Sequence, residues 1–144
     1  MRVTLDTNQL IRALMRPPQL ATFVMAWEAR RFAVVSSQQL LDEFQFVIAE
    51  PDVAELIYPE LRRLFFSHLL PEIELVELPT IPLLCRDPDD DKVIATALYG
   101  AVDYLATADE DIRTNAIAVL LDQAGIALTT LDEIVALLDK EQSR

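Results

Sequence analysis

The sequence predicts an α/β protein: a single three-layer α/β/α domain over residues 1–144, with a mostly parallel central sheet of about five strands. Three observations support this fold class. Short apolar segments alternate with stretches whose apolar residues recur at helical spacing, as in βαβ units. The eight prolines fall between these alternating elements, as expected for residues that mark element boundaries. Only two glycines occur, too few for an all-β chain with many tight turns.

The chain begins with a predicted strand, Arg2–Leu5, which is short and apolar. A helical pattern over Leu20–Arg31 follows and leads into a second predicted strand, Phe32–Val35. The next segment, Ser37–Glu50, is predicted to be a helix because its apolar residues form one stripe. That stripe consists of Leu40, Leu41, Phe44, Val47 and Ile48.

Pro51–Leu70 is predicted to be an extra helical segment, outside the alternation of strands and helices. Its helical stripe consists of Leu61, Leu64, Phe65 and Leu69. With Phe66 and Leu70 the segment holds more apolar side chains than one narrow stripe requires. Packing into the core is one explanation, and a helical hairpin that forms a homodimer or partner surface is the other.

The second half of the chain returns to the alternation of strands and helices. Its predicted elements are the strand Ile73–Leu78, a helix around Val93–Leu98, the strand Tyr104–Ala106, the helix Asn115–Gln123, the strand Ile126–Leu128 and the helix Leu131–Leu138.

Composition excludes several classes of protein. Gly100 and Gly125 alone cannot form a Rossmann fingerprint or a Walker loop. The single Cys85 excludes an internal disulfide and a cysteine-based zinc site, and it suits a reducing cytoplasm. The single His68 excludes histidine-rich metal sites. No signal peptide and no membrane-spanning run is predicted.

The net charge of −12 argues against a plain nucleic-acid-binding module, because such proteins usually neutralise phosphate with basic side chains. It does not argue against a nuclease that binds phosphate through metal ions, or against a protein with a basic partner. A solvated acidic surface accounts for most of these charges.

Acidic residues follow two of the predicted strands. Asp6 comes directly after the first strand, and Asp109 comes shortly after Tyr104–Ala106. In open α/β sheets, ligands bind outside the carboxyl ends of the strands. Asp6 could instead serve only as a helix N-cap. Glu43 lies at the margin of an apolar helical stripe, so it points either to solvent or into a cleft.

The densest acidic run is Asp87–Lys92. An acidic helix start explains it without a ligand. A calcium loop counted from Asp87 fails, because Lys92 stands where glycine is needed. The functional interpretation places Asp91 in a metal site, with Thr107 and Asn8 as hydrogen-bond donors to the ligating carboxylates. Carboxylates brought together at strand ends need a countercharge, and Mg²⁺ or Mn²⁺ is the simplest one.

Four segments resemble the motifs of the PIN domain family. Val3-Thr4-Leu5-Asp6-Thr7-Asn8 resembles the first motif, and Ser37 to Glu43 resembles the second. The third and fourth are Cys85 to Lys92 and Asp103 to Asp111. The form Cys-Arg-Asp-Pro-acidic-Asp-Asp-Lys is most similar to the PIN-family toxin components of toxin–antitoxin systems, related to VapC-like ribonucleases. The resemblance covers residues 1–112 and thins beyond them, where the chain inserts 113–125. Ala108 stands where glycine is frequent.

The resemblance implies an Mg²⁺- or Mn²⁺-dependent endoribonuclease whose acidic quartet is Asp6, Glu43, Asp91 and Asp109. One cation would be held chiefly by Asp6, Asp91 and Asp109. Glu43 would orient the attacking water or help to hold a second cation. The resemblance leaves the roles of Asp87 and Asp111 open; each could support the site without touching metal.

The implied partners are an RNA substrate and a protein antitoxin that inserts a peptide, with a basic side chain, into the acidic cleft. Arg12, Arg16 and Lys92 are candidates for phosphate contacts, and ordinary surface cations are the alternative for each.

Three other functions are alternatives to the nuclease. A haloacid-dehalogenase-like phosphohydrolase also has an Asp after its first strand, but it needs a second Asp two positions later, where this chain has Asn8. A PIN fold that binds RNA or protein as a scaffold, with weak or no turnover, is the non-enzymatic alternative; an intact acidic quartet argues against it. A response-regulator receiver would need a phosphorylatable Asp at the end of a middle strand, and no convincing one occurs.

Overall fold

The protein has a five-stranded, all-parallel sheet with helices on both sides, so the predicted α/β fold class is confirmed. The computed structural model describes residues 1–15 and 17–143, and the side chains of all these residues except 17–21. The strands are β1 (Arg2–Leu5), β2 (Ala33–Ser36), β3 (Glu74–Leu75), β4 (Tyr104–Ala106) and β5 (Ala127–Thr129), arranged in the order β3-β2-β1-β4-β5.

Eight α-helices are present in the described residues. They are α1 (Thr7–Met15), α2 (Pro17–Glu28), α3 (Gln38–Ile48), α4 (Pro51–Ala54), α5 (Pro59–Leu64), α6 (Asp91–Gly100), α7 (Asn115–Gln123) and α8 (Leu131–Gln142). A π-helical turn at Phe65–Leu69 and 3₁₀ turns at Leu70–Glu72 and Pro88–Asp90 complete the helical structure.

The two faces of the sheet carry separate apolar clusters, because side chains alternate along each strand. Val3 and Leu5 of β1 belong to the larger cluster, which contains residues of α1, α2, α3 and α8. Val35 of β2 and Leu105 of β4 belong to the second cluster, with residues of α6 and α7. A parallel sheet is normally covered on both faces in this way. Its functional groups must therefore emerge at the strand ends.

The segment 51–72 is helical and contributes to the larger cluster. Phe65 is fully buried, and its ring lies 5.1 Å from that of Phe44 and 6.0 Å from that of Trp27. Leu69 is buried beside them. Core packing therefore explains these two apolar residues. Leu56 and Tyr58 remain exposed.

The C-terminal elements complete the sheet. β5 pairs with β4, and the Thr107 N–H donates to the Thr129 carbonyl at 3.0 Å. Leu131, at the start of α8, is fully buried and donates its N–H to Gln9 Oε1 at 2.8 Å. Ile134 and Leu138 of α8 also lie in the larger apolar cluster.

Candidate active site

The site lies at the carboxyl ends of β1 and β4, where the sheet order reverses. β1 is followed along the chain by β2 on one side, and β4 pairs with the other side of β1. Such a switch point is the usual ligand-binding crevice of an open α/β sheet. The Asp6 N–H donates to the Ala106 carbonyl at 2.9 Å, which fixes these two strand ends together.

The Asp6 carboxylate is held by hydrogen bonds from both strand ends. Its Oδ1 accepts from the Thr7 N–H, and its Oδ2 accepts from the Thr107 hydroxyl, each at 2.8 Å. Burial raises the pKa of Asp6; the hydrogen bonds from Thr107 and Thr7 oppose this, and the charges of Glu43 and Asp109 add to it. The net result is a raised pKa, as expected for a carboxylate short of positive charge.

Asp109 is joined to Asp6 through Thr107. The Asp109 N–H donates to Thr107 Oγ1 at 3.1 Å, and the same hydroxyl donates to Asp6. Asp109 Oδ1 in turn accepts from the Asp111 N–H at 2.9 Å. Thr107, predicted to hydrogen-bond the acids, does so. Asn8, predicted for the same role, is exposed and makes no side-chain hydrogen bond to the acids in the described structure.

Three carboxylates converge beside this network. Oxygens of Asp90, Asp109 and Asp111 all lie within 4.8 Å of one another. Burial, the charge of Asp109 and a hydrogen bond with that carboxyl are the main causes that raise the pKa of Asp90 to about 7. Carboxylates this close repel one another when no cation separates them, and this repulsion favours the protonated form of Asp90. This oxygen-only donor set fits a hard divalent cation.

Asp91 has different surroundings. It is 1% exposed, and its Oδ1 accepts from the N–H groups of Leu84 and Cys85 at 2.9 and 2.7 Å. Burial raises the pKa of Asp91, but these hydrogen bonds and one from the Cys85 thiol outweigh it, and the pKa is lowered. Its Oδ2 is buried and has no hydrogen-bond partner among the described residues. The ligand role of Asp91 therefore stays a prediction, while its neighbour Asp90 lies in the convergent group.

Glu43 reaches the same region from α3. Ser37 caps this helix by accepting from the Leu40 N–H, and its hydroxyl lies 2.8 Å from the Thr96 hydroxyl of α6. Glu43 Oε2 accepts a hydrogen bond from the Thr7 hydroxyl, and Glu43 Oε1 lies 3.1 Å from the Lys92 ammonium.

Asp6, Glu43 and Asp109 are thus linked by the two threonines, Thr7 and Thr107, into one network. Thr7 was missed by the sequence analysis, although a hydroxyl that directly follows a strand-end acid is a readable signal. Asp90 is not singled out in the sequence, because nothing in three consecutive acids indicates which one points inward.

The other predicted contacts are simpler to place. Asp87 Oδ1 caps the turn at Pro88–Asp90 by accepting from the Asp89 N–H at 3.0 Å. Arg12 pairs with Asp132 at 2.8 Å, so a described partner already takes up its charge. Arg16 lies outside the described residues.

Comparison with known families agrees with this arrangement. The family model described as PIN domain matches residues 2–111, about three quarters of the chain. The chain belongs to the PIN domain family. PIN domains are generally metal-dependent nucleases, so membership supports a hydrolase that uses divalent metal. Searches of curated proteins and of solved structures gave no significant match. Within the described part of this PIN domain, no helix is long and apolar enough to cross a bilayer.

Proposed function

We propose that this PIN domain is an Mg²⁺- or Mn²⁺-dependent endoribonuclease and the toxin of a toxin–antitoxin pair. The observation that supports nuclease chemistry most directly is the convergence of Asp90, Asp109 and Asp111 beside Asp6, at the switch point of the sheet. A bound divalent cation would offset these charges, lower the pKa of a water and help to neutralise the phosphate.

The residues that would hold the metal are the strand-end acids Asp6 and Asp109, with one acid from the start of α6. The resemblance assigns that third place to Asp91. The geometry favours Asp90, because its oxygens converge with those of Asp109 while Asp91 holds the loop at Leu84 and Cys85. Asp111 is near enough to contribute as well.

Glu43 is the carboxylate best placed to handle the attacking water. Thr7 and Lys92 each contact one of its two oxygens, and it is not a member of the convergent group. A carboxylate in this position can orient the water and accept its proton. General-base catalysis of this kind contributes about 10²–10⁴-fold to a rate.

The test is Mn²⁺-dependent cleavage of structured and single-stranded RNA by purified protein. Asp6→Asn and Asp109→Asn should abolish cleavage, and Glu43→Gln should reduce kcat by about 10²–10⁴-fold. Glu110→Gln is the matched control, because Glu110 is exposed and adjacent to two of the acids. Full cleavage by Asp6→Asn would contradict the proposal. RNA binding without cleavage by the wild type would favour the scaffold.

The choice between Asp90 and Asp91 has its own test. If Asp90 is the ligand, Asp90→Asn should weaken Mn²⁺ binding more than Asp91→Asn does. Calorimetric titration of the metal-free proteins measures this difference, and the reverse order would restore Asp91 to the predicted site.

The proposed antitoxin is a protein that supplies a basic side chain to the acidic site, since the chain carries a net charge of −12. Such a toxin acts on RNA in the cytoplasm, and we propose that location. Purification from the native host should recover a stable complex with a small basic partner. Recovery of the chain alone would contradict the toxin role.

A homodimer through segment 51–70 is a further part of the proposal. Leu56 and Tyr58 are exposed there, and such a surface is suited to a second copy. Light scattering at micromolar concentration should give twice the chain mass, and Leu56→Ser should reduce it. A monomeric mass for the wild type would overturn the dimer.

A further inference from the structure

Lys92 is a cation held inside the acidic site. Its ammonium lies 3.1 Å from Glu43 Oε1, and the side chains of Lys92 and Glu43 are 18% and 33% exposed. In the other four ion pairs of the described residues, both partners are at least 28% exposed. A shielded pair is held more firmly than an exposed one, because water and salt screen it less.

The position of Lys92 is unfavourable for the helix that carries it. It is the second residue of α6, and a cation in the first turn opposes the helix macrodipole. Nothing local therefore calls for a lysine at this position. The role of Lys92 is therefore explained by its ion pair with Glu43 in the acidic site.

The ion pair divides the acids of the site into two sets. Asp90, Asp109 and Asp111 converge and make no ion pair in the described structure. Glu43 lies outside that set, and both of its oxygens are engaged, by Thr7 and by Lys92. A countercharge from the described part of the protein is therefore lacking at the convergent set and at Asp6, but not at Glu43.

We propose that Lys92 takes the place of a second divalent cation, so that this site binds one metal ion and uses the Lys92 ammonium as the countercharge of Glu43. Two-metal sites hold their ions about 3.5–4 Å apart, with carboxylates serving both. Here Glu43 is neutralised by the protein itself and is left to position water. This inference rests on the proposed function, and Lys92 acts in it as a positioning residue.

The test is the stoichiometry of Mn²⁺ binding to the metal-free protein without RNA, measured by calorimetry and by electron paramagnetic resonance of free Mn²⁺. The wild type should bind one ion. Lys92→Met and Lys92→Gln should bind two, because Glu43 then lacks a countercharge. Lys92→Arg should bind one, and so should Lys92→Met combined with Glu43→Gln.

Lys140→Met is the matched control, since it removes the same charge from an exposed position on α8. It should bind one ion, like the wild type. Circular dichroism of each metal-free variant checks the fold. Lys92→Gln keeps a hydrogen-bond donor at this position and serves if Lys92→Met fails to fold.

Cleavage by Lys92→Met should fall about 10- to 100-fold, the usual loss when a partner of a site carboxylate is removed. Lys92→Arg should recover most of it. Two ions bound by the wild type would overturn this inference but not the proposed nuclease function. One ion bound by both Lys92→Met and Lys92→Gln would have the same consequence. One ion in the wild type and two in Lys92→Met, without RNA cleavage, would overturn the nuclease and leave the inference standing. No ion bound by any variant would overturn both.

Discussion

At the scale of single residues, Asp90 and Asp91 are neighbours in the chain, but the pKa of Asp90 is raised and that of Asp91 is lowered. The carboxyl of Asp90 faces Asp109, which helps to raise the pKa of Asp90. The carboxyl of Asp91 accepts backbone N–H groups, which lower its pKa. The 3₁₀ turn at Pro88–Asp90 decides which acid points inward, and a run of three aspartates carries no signal for that rotation. This part of the site could not be predicted from the sequence.

The pH dependence of the metal-free protein should reveal Asp90. Its pKa is about 7 in the folded state against an ordinary value of 3.8, so the folded state holds the proton more tightly than the unfolded state does. Stability from this group is therefore present at low pH and is lost as pH rises from about 4 to about 7. Asp90→Asn should remove that loss.

Thermal unfolding in a chelator measures this effect. The Tm advantage of Asp90→Asn over the wild type should be small at pH 4 and largest above pH 7. Asp89→Asn, an exposed neighbour, should show no such trend. An advantage that shrinks with rising pH would contradict the placement of Asp90 against Asp109.

The Cys85 thiol should be unreactive. Burial, a hydrogen bond to Asp91 and the charge of that carboxylate raise the pKa of Cys85 to about 12, from a usual 9.0. Thiolate is the reactive form, so alkylation by iodoacetamide at pH 8 should be on the order of a thousandfold slower than that of a free thiol. Asp91→Asn should speed it up, because the negative charge is gone. Equal rates in the two proteins would contradict the Cys85–Asp91 contact.

At the scale of elements, β1 and β4 occur at the predicted residues, and β2 and β5 are displaced by one residue from prediction. β3 is the exception: Ile73–Leu78 was predicted, but only Glu74–Leu75 is a strand. Its partner β2 ends at Ser36, whose carbonyl accepts from the Val76 N–H at 2.9 Å, and α3 begins at Gln38. Residues 77–78 therefore have no strand to pair with. The apolar pattern of the sequence alone does not show where strand pairing, and therefore β3, ends. The meeting of Asp6 with Asp109, in contrast, follows from parallel strand order alone.

The end of α6 offers a matched pair of substitutions. A Cβ on Gly100 would lie 2.7 Å from Val35 Cγ1, so Gly100→Ala should destabilise the protein by about 1–3 kcal/mol through overpacking. The next residue, Ala101, has φ 47°, a left-handed conformation that favours glycine. Ala101→Gly should therefore stabilise by about 0.5–1 kcal/mol.

Urea unfolding of both variants measures these changes. The two substitutions exchange the same pair of residue types at adjacent positions, so each is the control for the other. Opposite signs are expected. A neutral Gly100→Ala would mean that α6 does not approach β2 this closely.

At the scale of the whole molecule, the chain carries 24 acidic residues and only 12 basic ones. Several of the acids are gathered at one end of the sheet, where the fold keeps them together against their mutual repulsion. A ligand that relieves this repulsion binds the folded state and not the unfolded one. It must therefore raise the stability of the whole domain.

Mn²⁺ should accordingly raise the Tm of the wild type, with about 2.7 kcal/mol of added stability at a hundredfold excess over Kd. Asp109→Asn should lose most of this gain, because Asp109 belongs to both the convergent set and the hydrogen-bond network. Differential scanning fluorimetry with and without Mn²⁺ gives the comparison, with Glu110→Gln as control. An equal rise in wild type and Asp109→Asn would place the bound ion elsewhere.

The family match ends at residue 111, before β5 and α8. A gene fragment trimmed to that boundary would leave β4 as a bare edge, open to aggregation, and would remove Leu131 and Ile134 from the larger apolar cluster. Gln9 would also lose the amide that it accepts from. The segment that the PIN family model matches, residues 2–111, is therefore too short to fold by itself. A soluble preparation has to extend through α8.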